Sequence, residues 1–363
     1  MTDRVPGAAG VPATMRAIAL TAFGGPENLE EVTLPVPVPA AGEVLVWVHT
    51  VAANRQDTFT MRGLAQARHP VPLPHVLGID PAGVVVALGA GVHTLAIGDR
   101  VVAKPSIACG DCPDCRNGDD DACPRAQNIG VHRGGGMAEY VAIPARNAFL
   151  IPGGLPFAEA TAAAHSFPVA LQLMRNRAGL RAGETVLVTG AAGAIGSAAV
   201  QLARVLGARV IAAAGGEAKA AYARTLGADL VIDYLATPAC GPLVREAAPD
   251  GVDLYVESAG NPDIWKEALT TLGRRGRAAV CGSHAGKAVE LDLNWLFRMR
   301  ASILGGSGAT LATQADALAL VASGQLRPHV HAVLPLADAA EAFGILYRRE
   351  NLGKVVLEVA SDR

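Results

Sequence analysis

The chain has 363 residues, of which 51% are hydrophobic and 18% charged, with a formal net charge of −2 at pH 7. Such a balance describes a globular protein long enough for two cores, and it removes the electrostatic case for a nucleic-acid or membrane-surface partner. Gly, Pro, Asp or Arg interrupts every apolar run short of membrane-spanning length, and the opening residues lack a secretory signal's continuous apolar core; a cytoplasmic protein with a small-molecule substrate is expected.

The Gly-, Pro- and Ala-rich opening predicts a loose tail before Met15. Met15 to Leu20 reads as a short strand, and Pro35, Pro37 and Pro39 mark an extended connector. Glu43 to Val48 is apolar and β-branched, as a mostly buried strand is. Thr50 to Thr58 leads into a short helix ending near Gly63, and His75–Asp80, Ala82–Ala87 and Gly98–Val102 follow as turns and strands. Gly134, Gly135 and Gly136 lead into one more strand, Met137–Ala142. Many short strands in a glycine-rich region predict a partly open β-barrel.

Within that region lie Cys109, Cys112, Cys115 and Cys123, separated by two, two and seven residues. Four thiolates satisfy a tetrahedral zinc completely and leave no position open for substrate. Nothing indicates the oxidising compartment that disulfides need, and the usual iron–sulfur spacings differ from this one. One structural zinc per chain, in a lobe of about residues 105–125, is therefore expected. Asp119, Asp120 and Asp121 beside it read as a solvated face.

From Phe157 helical patterns alternate with apolar strands at Val186–Val188, Val210–Ala212, Leu230–Ile232, Leu254–Val256 and Ala278–Cys281. Alternation of this kind predicts βαβ units and a parallel sheet covered on both faces. Its centre is Thr185-Val-Leu-Val-Thr-Gly-Ala-Ala-Gly-Ala-Ile-Gly196. Gly190 supplies a tight turn, Gly193 a close backbone approach and Gly196 room for the helix against its strand. Ala192, Ala194 and Ile195 lie between and beside them, where free N–H groups can receive a pyrophosphate. The spacing is one residue off the commonest fingerprint, so the order strand–turn–helix–strand carries the dinucleotide assignment. Cys240 falls in a Pro/Gly loop and reads as incidental, whereas Cys281 ends a predicted strand. After Ile303–Gly306 a helix, a Pro-bearing linker and the strand Lys354–Val359 close the chain. That strand resembles the first region, which places the nucleotide domain as an insertion in a β-rich domain.

On these motifs, from about Met15 to Val359, the chain resembles the medium-chain dehydrogenase/reductase superfamily, which includes zinc alcohol dehydrogenases and quinone oxidoreductases. The resemblance implies an α/β protein: a GroES-like partly open β-barrel catalytic domain (1–165), an inserted Rossmann domain with a doubly wound parallel sheet (166–303), and a return to the catalytic domain (304–363). The cysteine lobe matches the structural-zinc loop of the alcohol dehydrogenases. Their three catalytic-zinc ligands align with Asn54, Ile79 and Ala164, none of which binds zinc as thiolate and imidazole do, so the catalytic metal is expected to be absent. Asn54-Arg-Gln-Asp57, Arg62-Gly63 and Leu77-Gly-Ile-Asp80 instead resemble the zinc-free quinone oxidoreductases.

The second Rossmann strand ends without the acid that holds an NAD ribose, since none precedes Glu217. Lys219 and Tyr234 match residues that contact the adenosine phosphate in the NADPH-dependent relatives, so NADPH is the expected cofactor. Gly282 and Ser283 should border the nicotinamide, and Asn351 is a weaker carry-over as a cofactor contact. The reaction implied is hydride transfer from NADPH to an enone, quinone or enoyl-type acceptor polarised by hydrogen bonds. Asn54 is expected to orient the acceptor oxygen or the nicotinamide ribose, and Asp57 to fix local structure more than to act as an acid. His165 and His132 are the candidate proton donors, and His69, His75, His93, His329 and His331 read as structural or surface residues. A zinc-dependent alcohol dehydrogenase and a nucleotide-binding protein with little turnover are the rival readings. Relatives pair the last nucleotide-domain strand, here near Ile303–Gly305, across a dimer axis, so a homodimer or homotetramer is expected.

Overall fold

Near-continuous apolar character from Glu43 to Ala53 makes an eleven-residue strand that organises the first part of the chain in this computed structural model. The structure describes residues 10–64, 70–286 and 288–360; the start of the predicted tail and His69 lie outside the described residues. By residue proximity the chain divides into two compact units, Met1–His165 with Gln314–Ala322 and Pro328–Arg363, and Ser166–Thr313 with Ser323–Arg327.

In the first unit, Glu43–Ala53 pairs antiparallel with Ala82–Leu88, with Tyr140–Pro144 and with Lys354–Glu358. Together with Arg100–Ala103, Ala148–Leu150 and Val330–Pro335 these form a seven-stranded sheet. The closing strand is thus hydrogen-bonded into the barrel, as its resemblance to the first region predicted. A second sheet joins Leu29–Pro35, Thr14–Leu20 and His75–Val76. Two apolar clusters fill the unit, one around Leu20, Met61, Leu77, Met137 and Phe343, the other around Val46, Val85, Val101 and Ile143.

The second unit is a six-stranded parallel sheet in the order Leu230–Asp233, Arg209–Ala214, Thr185–Thr189, Val252–Glu257, Leu272–Val280, Ser302–Gly305. The order reverses between Thr185–Thr189 and Val252–Glu257, and at that point the carboxyl ends of the strands open a crevice for ligands. Gly190 turns the chain there with φ of +62°, and the helix Ala194–Val205 begins directly after it. A Cβ on Gly196 would stand 2.1 Å from the Gly190 carbonyl oxygen, so the helix reaches its strand only with glycine there.

Several elements differ from the sequence reading. Leu29–Pro35 is a strand, where only the proline connector was expected; Pro35 ends it and its alternating exposure identifies an edge. Val330–Pro335 replaces part of the expected linker, again as an alternating edge strand. Cys240 begins the helix Cys240–Ala247 and is buried. The return to the first unit falls at Gln314 rather than at 304. Thr313 donates to Gln172 Oε1 at 2.7 Å within the second unit, whereas Gln314 donates to the Ala164 carbonyl at 3.0 Å within the first.

The glycine turn generates a paired prediction. Gly196→Ala should destabilise by about 1–3 kcal/mol, because backbone must move to admit the methyl. Gly193→Ala should stay within about 0.5 kcal/mol, since its Cβ would meet only the Gly190 oxygen, at 3.4 Å. Denaturant unfolding of the two variants checks this.

Candidate functional site

The cysteine lobe gathers the sulfurs of Cys109, Cys112, Cys115 and Cys123 within 4.8 Å of one another. Cys109 and Cys115 are 3.8 Å apart, Cys112 and Cys123 3.9 Å, and Cys123 and Cys109 3.5 Å. A zinc–sulfur bond of about 2.3 Å gives a tetrahedron with edges of about 3.8 Å, so the donor set and its spacing fit zinc. Backbone N–H groups of Cys109 and Cys115 point at the sulfurs of Cys123 and Cys112, as expected where thiolates carry charge. Among the described residues this is the one group of three or more metal-ligating side chains. Asp120 is not part of a solvated face: it is buried and its carboxylate lies 3.3 Å from the buried ammonium of Lys104.

A second polar cluster sits inside the barrel unit. Asn54 precedes the helix Arg55–Met61, and Asp57 in its first turn accepts the Asn54 N–H at 2.9 Å. The other Asp57 oxygen accepts the Gly78 N–H at 3.1 Å. Burial, with the Asp80 charge behind it, pushes the Asp57 carboxyl up to about 7 against the pull of these bonds. Asp57 is therefore built into the backbone, which suits the local-structure role. Asp80 accepts from Ala52 N–H and Asn54 Nδ2, each at 3.1 Å, and its second oxygen lies 2.9 Å from Lys354 Nζ. Lys354 also donates to Asn54 Oδ1, and the remaining Asn54 hydrogen goes to the Ala52 carbonyl at 3.1 Å. Both hydrogens of the Asn54 amide are thus spent within the chain, so it orients Asp80 and Lys354 and offers an acceptor no free donor.

His165 caps the helix Phe157–Ala164. Burial first, and the Lys354 ammonium second, press its imidazole down to about 4. It is therefore neutral at pH 7. His132 accepts the Asn128 N–H on Nδ1 at 2.9 Å and closes its own loop. Asn351, also in the barrel unit, donates to the Gly353 carbonyl at 2.9 Å.

In the parallel-sheet unit the glycine turn meets two others. Gly190 lies beside Ser258, and Gly260 packs on Ser283 and the Gly282 carbonyl, so Gly282 and Ser283 do stand next to the turn after Glu257. Glu257 is buried and holds that turn, accepting from Gly260 N–H at 2.7 Å and from Thr189 Oγ1 at 3.0 Å. Ala194, Ile195 and Gly196 open the helix, with N–H groups that have no acceptor inside it. Ala192 is buried beneath the turn. At the far end, Lys219 lies in the first turn of Glu217–Thr225, and a Cβ on Gly215 would stand 2.7 Å from the Tyr234 hydroxyl. Asp233 reaches the same corner, accepting from the N–H groups of Gly216 and Leu235 at 2.8 and 2.9 Å, and these bonds hold its carboxyl below the usual range.

Residues 40–153 match the family described as Alcohol dehydrogenase GroES-like domain, and residues 194–323 match Zinc-binding dehydrogenase. A solved structure of an NAD-dependent alcohol dehydrogenase is 40% identical, with a TM-score of 0.90, over 95% of this chain and 100% of that one. An L-threonine 3-dehydrogenase from Pyrococcus horikoshii is 31% identical over 94% of this chain and 98% of its own. Quinone oxidoreductase-like protein 2 from Bos taurus is 30% identical over 95% of this chain and 92% of its own.

The chain belongs to the medium-chain dehydrogenase/reductase superfamily. It is an oxidoreductase of that superfamily, with its GroES-like and Rossmann folds. Among the described residues no helix of this dehydrogenase/reductase is long and apolar enough to cross a membrane. Sequence reasoning missed four residues of its polar clusters: Lys354, Lys104, Glu257 and Asp233. Asp233 alone left a signal, since it adjoins Tyr234 in the Val231–Tyr234 segment. A buried lysine or glutamate has no local pattern to announce it.

Two outcomes follow. Cys123→Ser should drop bound zinc from about one per chain to near zero and lower Tm by ~5 °C or more, read by elemental analysis and calorimetry. The Asp57 carboxyl binds its proton more tightly folded than unfolded, so its contribution to stability falls as pH rises from 3.8 to about 7. His165 acts in the opposite sense, losing stability as pH falls from 6.5 towards about 4. Asp57→Asn should remove only the first slope, so the stability difference between variant and parent, measured at about pH 5 and about pH 8, should shift in the variant's favour at the higher pH.

Proposed function

We propose that this chain is an NADPH-dependent reductase of activated double bonds or quinones that works without a catalytic zinc. The observation that carries the reading is the side-chain set at the three positions where zinc alcohol dehydrogenases hold their metal. Asn54 is tied to Asp80 and Lys354, while Ile79 and Ala164 are fully buried apolar residues. None offers a thiolate or imidazole, and the Lys354 ammonium is bonded to Asn54 instead.

The glycine turn of the second unit has the open N–H groups and the lack of a Cβ at Gly193 that a pyrophosphate needs. A reduced nicotinamide bound there supplies the hydride. Lys219 and Tyr234 support a 2′-phosphate at the other end, through a cation and a hydroxyl beside the Gly215–Gly216 turn. One observation favours NADH as a second reading: the Asp233 carboxylate occupies the Gly216 N–H and adds negative charge to that corner. An activated acceptor suits such a site, because conjugate addition spreads the developing charge that a metal would otherwise neutralise. The cysteine lobe holds one structural zinc, which cross-links the loop. Self-association runs through the Ser302–Gly305 edge strand, where Leu293, Phe297 and Ile303 stay exposed.

Nicotinamide absorbance decay tests the reading, with NADPH and NADH each offered enones, quinones, simple ketones and, in reverse, primary alcohols. Turnover of enones or quinones at least ~10-fold more efficient with NADPH supports it. Alcohol oxidation abolished by a chelator overturns it.

A further inference from the structure

Three of the four cysteines in the metal lobe are placed by one short stretch of chain. Cys112 caps the four-residue helix Pro113–Arg116, which carries Cys115, and Cys109 stands three residues ahead of the cap. Cys123 arrives only after seven further residues, and it is held from two sides. Downstream, Gln127–Asn128 pairs with Ser106–Ile107. Upstream, Asp120 opens the 3-10 turn Asp120–Ala122, and its carbonyl accepts the Cys123 N–H at 3.3 Å.

The Asp120 side chain turns inward to the Lys104 ammonium, 3.3 Å away. Lys104 follows the strand Arg100–Ala103 and is locked to its neighbours there. Its N–H bonds the Asn147 carbonyl at 2.8 Å, and Asn147 Nδ2 returns bonds to the carbonyls of Lys104 and Ser106 at 3.0 and 2.8 Å. The ammonium also donates to the Ser106 carbonyl at 2.9 Å. Lys104 and Asp120 are 2% and 8% exposed, so their attraction is little screened. Desolvation offsets much of that attraction, and what such a buried pair secures best is position.

We infer that Lys104 is a positioning residue for the metal, an assignment that rests on the reading that the lobe binds one zinc. Through Asp120 it holds the turn that presents Cys123, and so sets how tightly the lobe keeps its zinc. A thiolate already in place binds without the cost of ordering its loop, whereas one on a loosened turn gives back part of the affinity. At the other end of the lobe Arg146 donates to the Ala108 carbonyl, beside Cys109. Both ends of the lobe are thus tied to the barrel by a cation, but only the second tie is an ion pair buried on both sides.

The test uses the full-length, zinc-loaded protein and compares wild type with Asp120→Asn, Lys104→Met, the double variant and Asp119→Asn. Bound zinc is counted by elemental analysis at intervals after excess EDTA is added, and Tm is read with zinc and after its removal. Asp120→Asn and Lys104→Met should each release zinc about tenfold faster than wild type. The double variant should also stay near tenfold, because both changes break one link. Asp119→Asn makes the same change of charge one residue away on an exposed side chain, and its release should stay within about twofold of wild type. The rise in Tm that zinc brings should shrink in both single variants, because the metal binds the folded lobe less tightly. Equal falls of both Tm values with release unchanged mark a pair that only stabilises the barrel, and overturn the assignment. A double variant about a hundredfold faster overturns it too, as does Asp119→Asn releasing as fast as Asp120→Asn. Should Lys104→Met not fold, Asp120→Asn, which keeps the shape of the side chain, decides by its release rate and its zinc-dependent Tm. Wild type that takes up no zinc sinks the metal reading and the assignment with it; wild type that keeps its zinc no longer than Asp120→Asn overturns the assignment alone.

Discussion

Asp80 and Lys354 form an ion pair buried from water, 2.9 Å across and 274 residues apart in the chain. Taking two charges out of water costs several kcal/mol each, and only close pairing with further hydrogen bonds offsets it. Asn54 and the Ala52 backbone serve that end. Asp80 takes the Ala52 N–H and an Asn54 hydrogen, and Asn54 returns its oxygen to the ammonium. Asp57 ties the start of the next helix to Gly78, two residues before Asp80. The strand that carries Lys354 pairs with Glu43–Ala53, which brings its ammonium to the carboxylate. One interaction thus couples the last strand of the barrel to the segment that carries Asn54 and Asp57.

The parallel-sheet unit depends on a steric constraint of a different kind. Its strand order reverses beside Thr185–Thr189, and three turns crowd the reversal. Gly196, Gly260 and Gly282 each stand where a Cβ would meet backbone, and Gly190 turns the chain with φ of +62°. Glu257 gives the crowded turns a common anchor, with backbone and hydroxyl donors filling its oxygens. What remains open is the start of the helix Ala194–Val205, where an anion is favoured by unpaired N–H groups and the helix dipole.

The cysteine lobe was legible because its information is local. Four donors within fifteen residues need only a short loop to close on one point, and the structure brings them to spacings that fit the corners of a zinc tetrahedron. The glycine turn was legible for the same reason, as strand, turn and helix follow one another directly. The proton affinity of His165 was not legible, because it depends on burial and on an ammonium 189 positions later in the chain. Asp120 was misjudged by its company: three successive aspartates suggest solvent, yet one turns inward to Lys104.

By itself the sequence determined the superfamily, the alternation that makes a parallel sheet, the four cysteines and the glycine spacing, all of them features written in neighbours a few residues apart. Only the tertiary structure decided what Asn54 does with its amide, where Lys354 places its charge and which strand closes the barrel. The physical reason is that hydrogen-bond capacity is finite. Whether a side chain is free for chemistry depends on which partners fill its donors and acceptors, and here those partners come from residues 52, 80 and 354, brought together by the sheet.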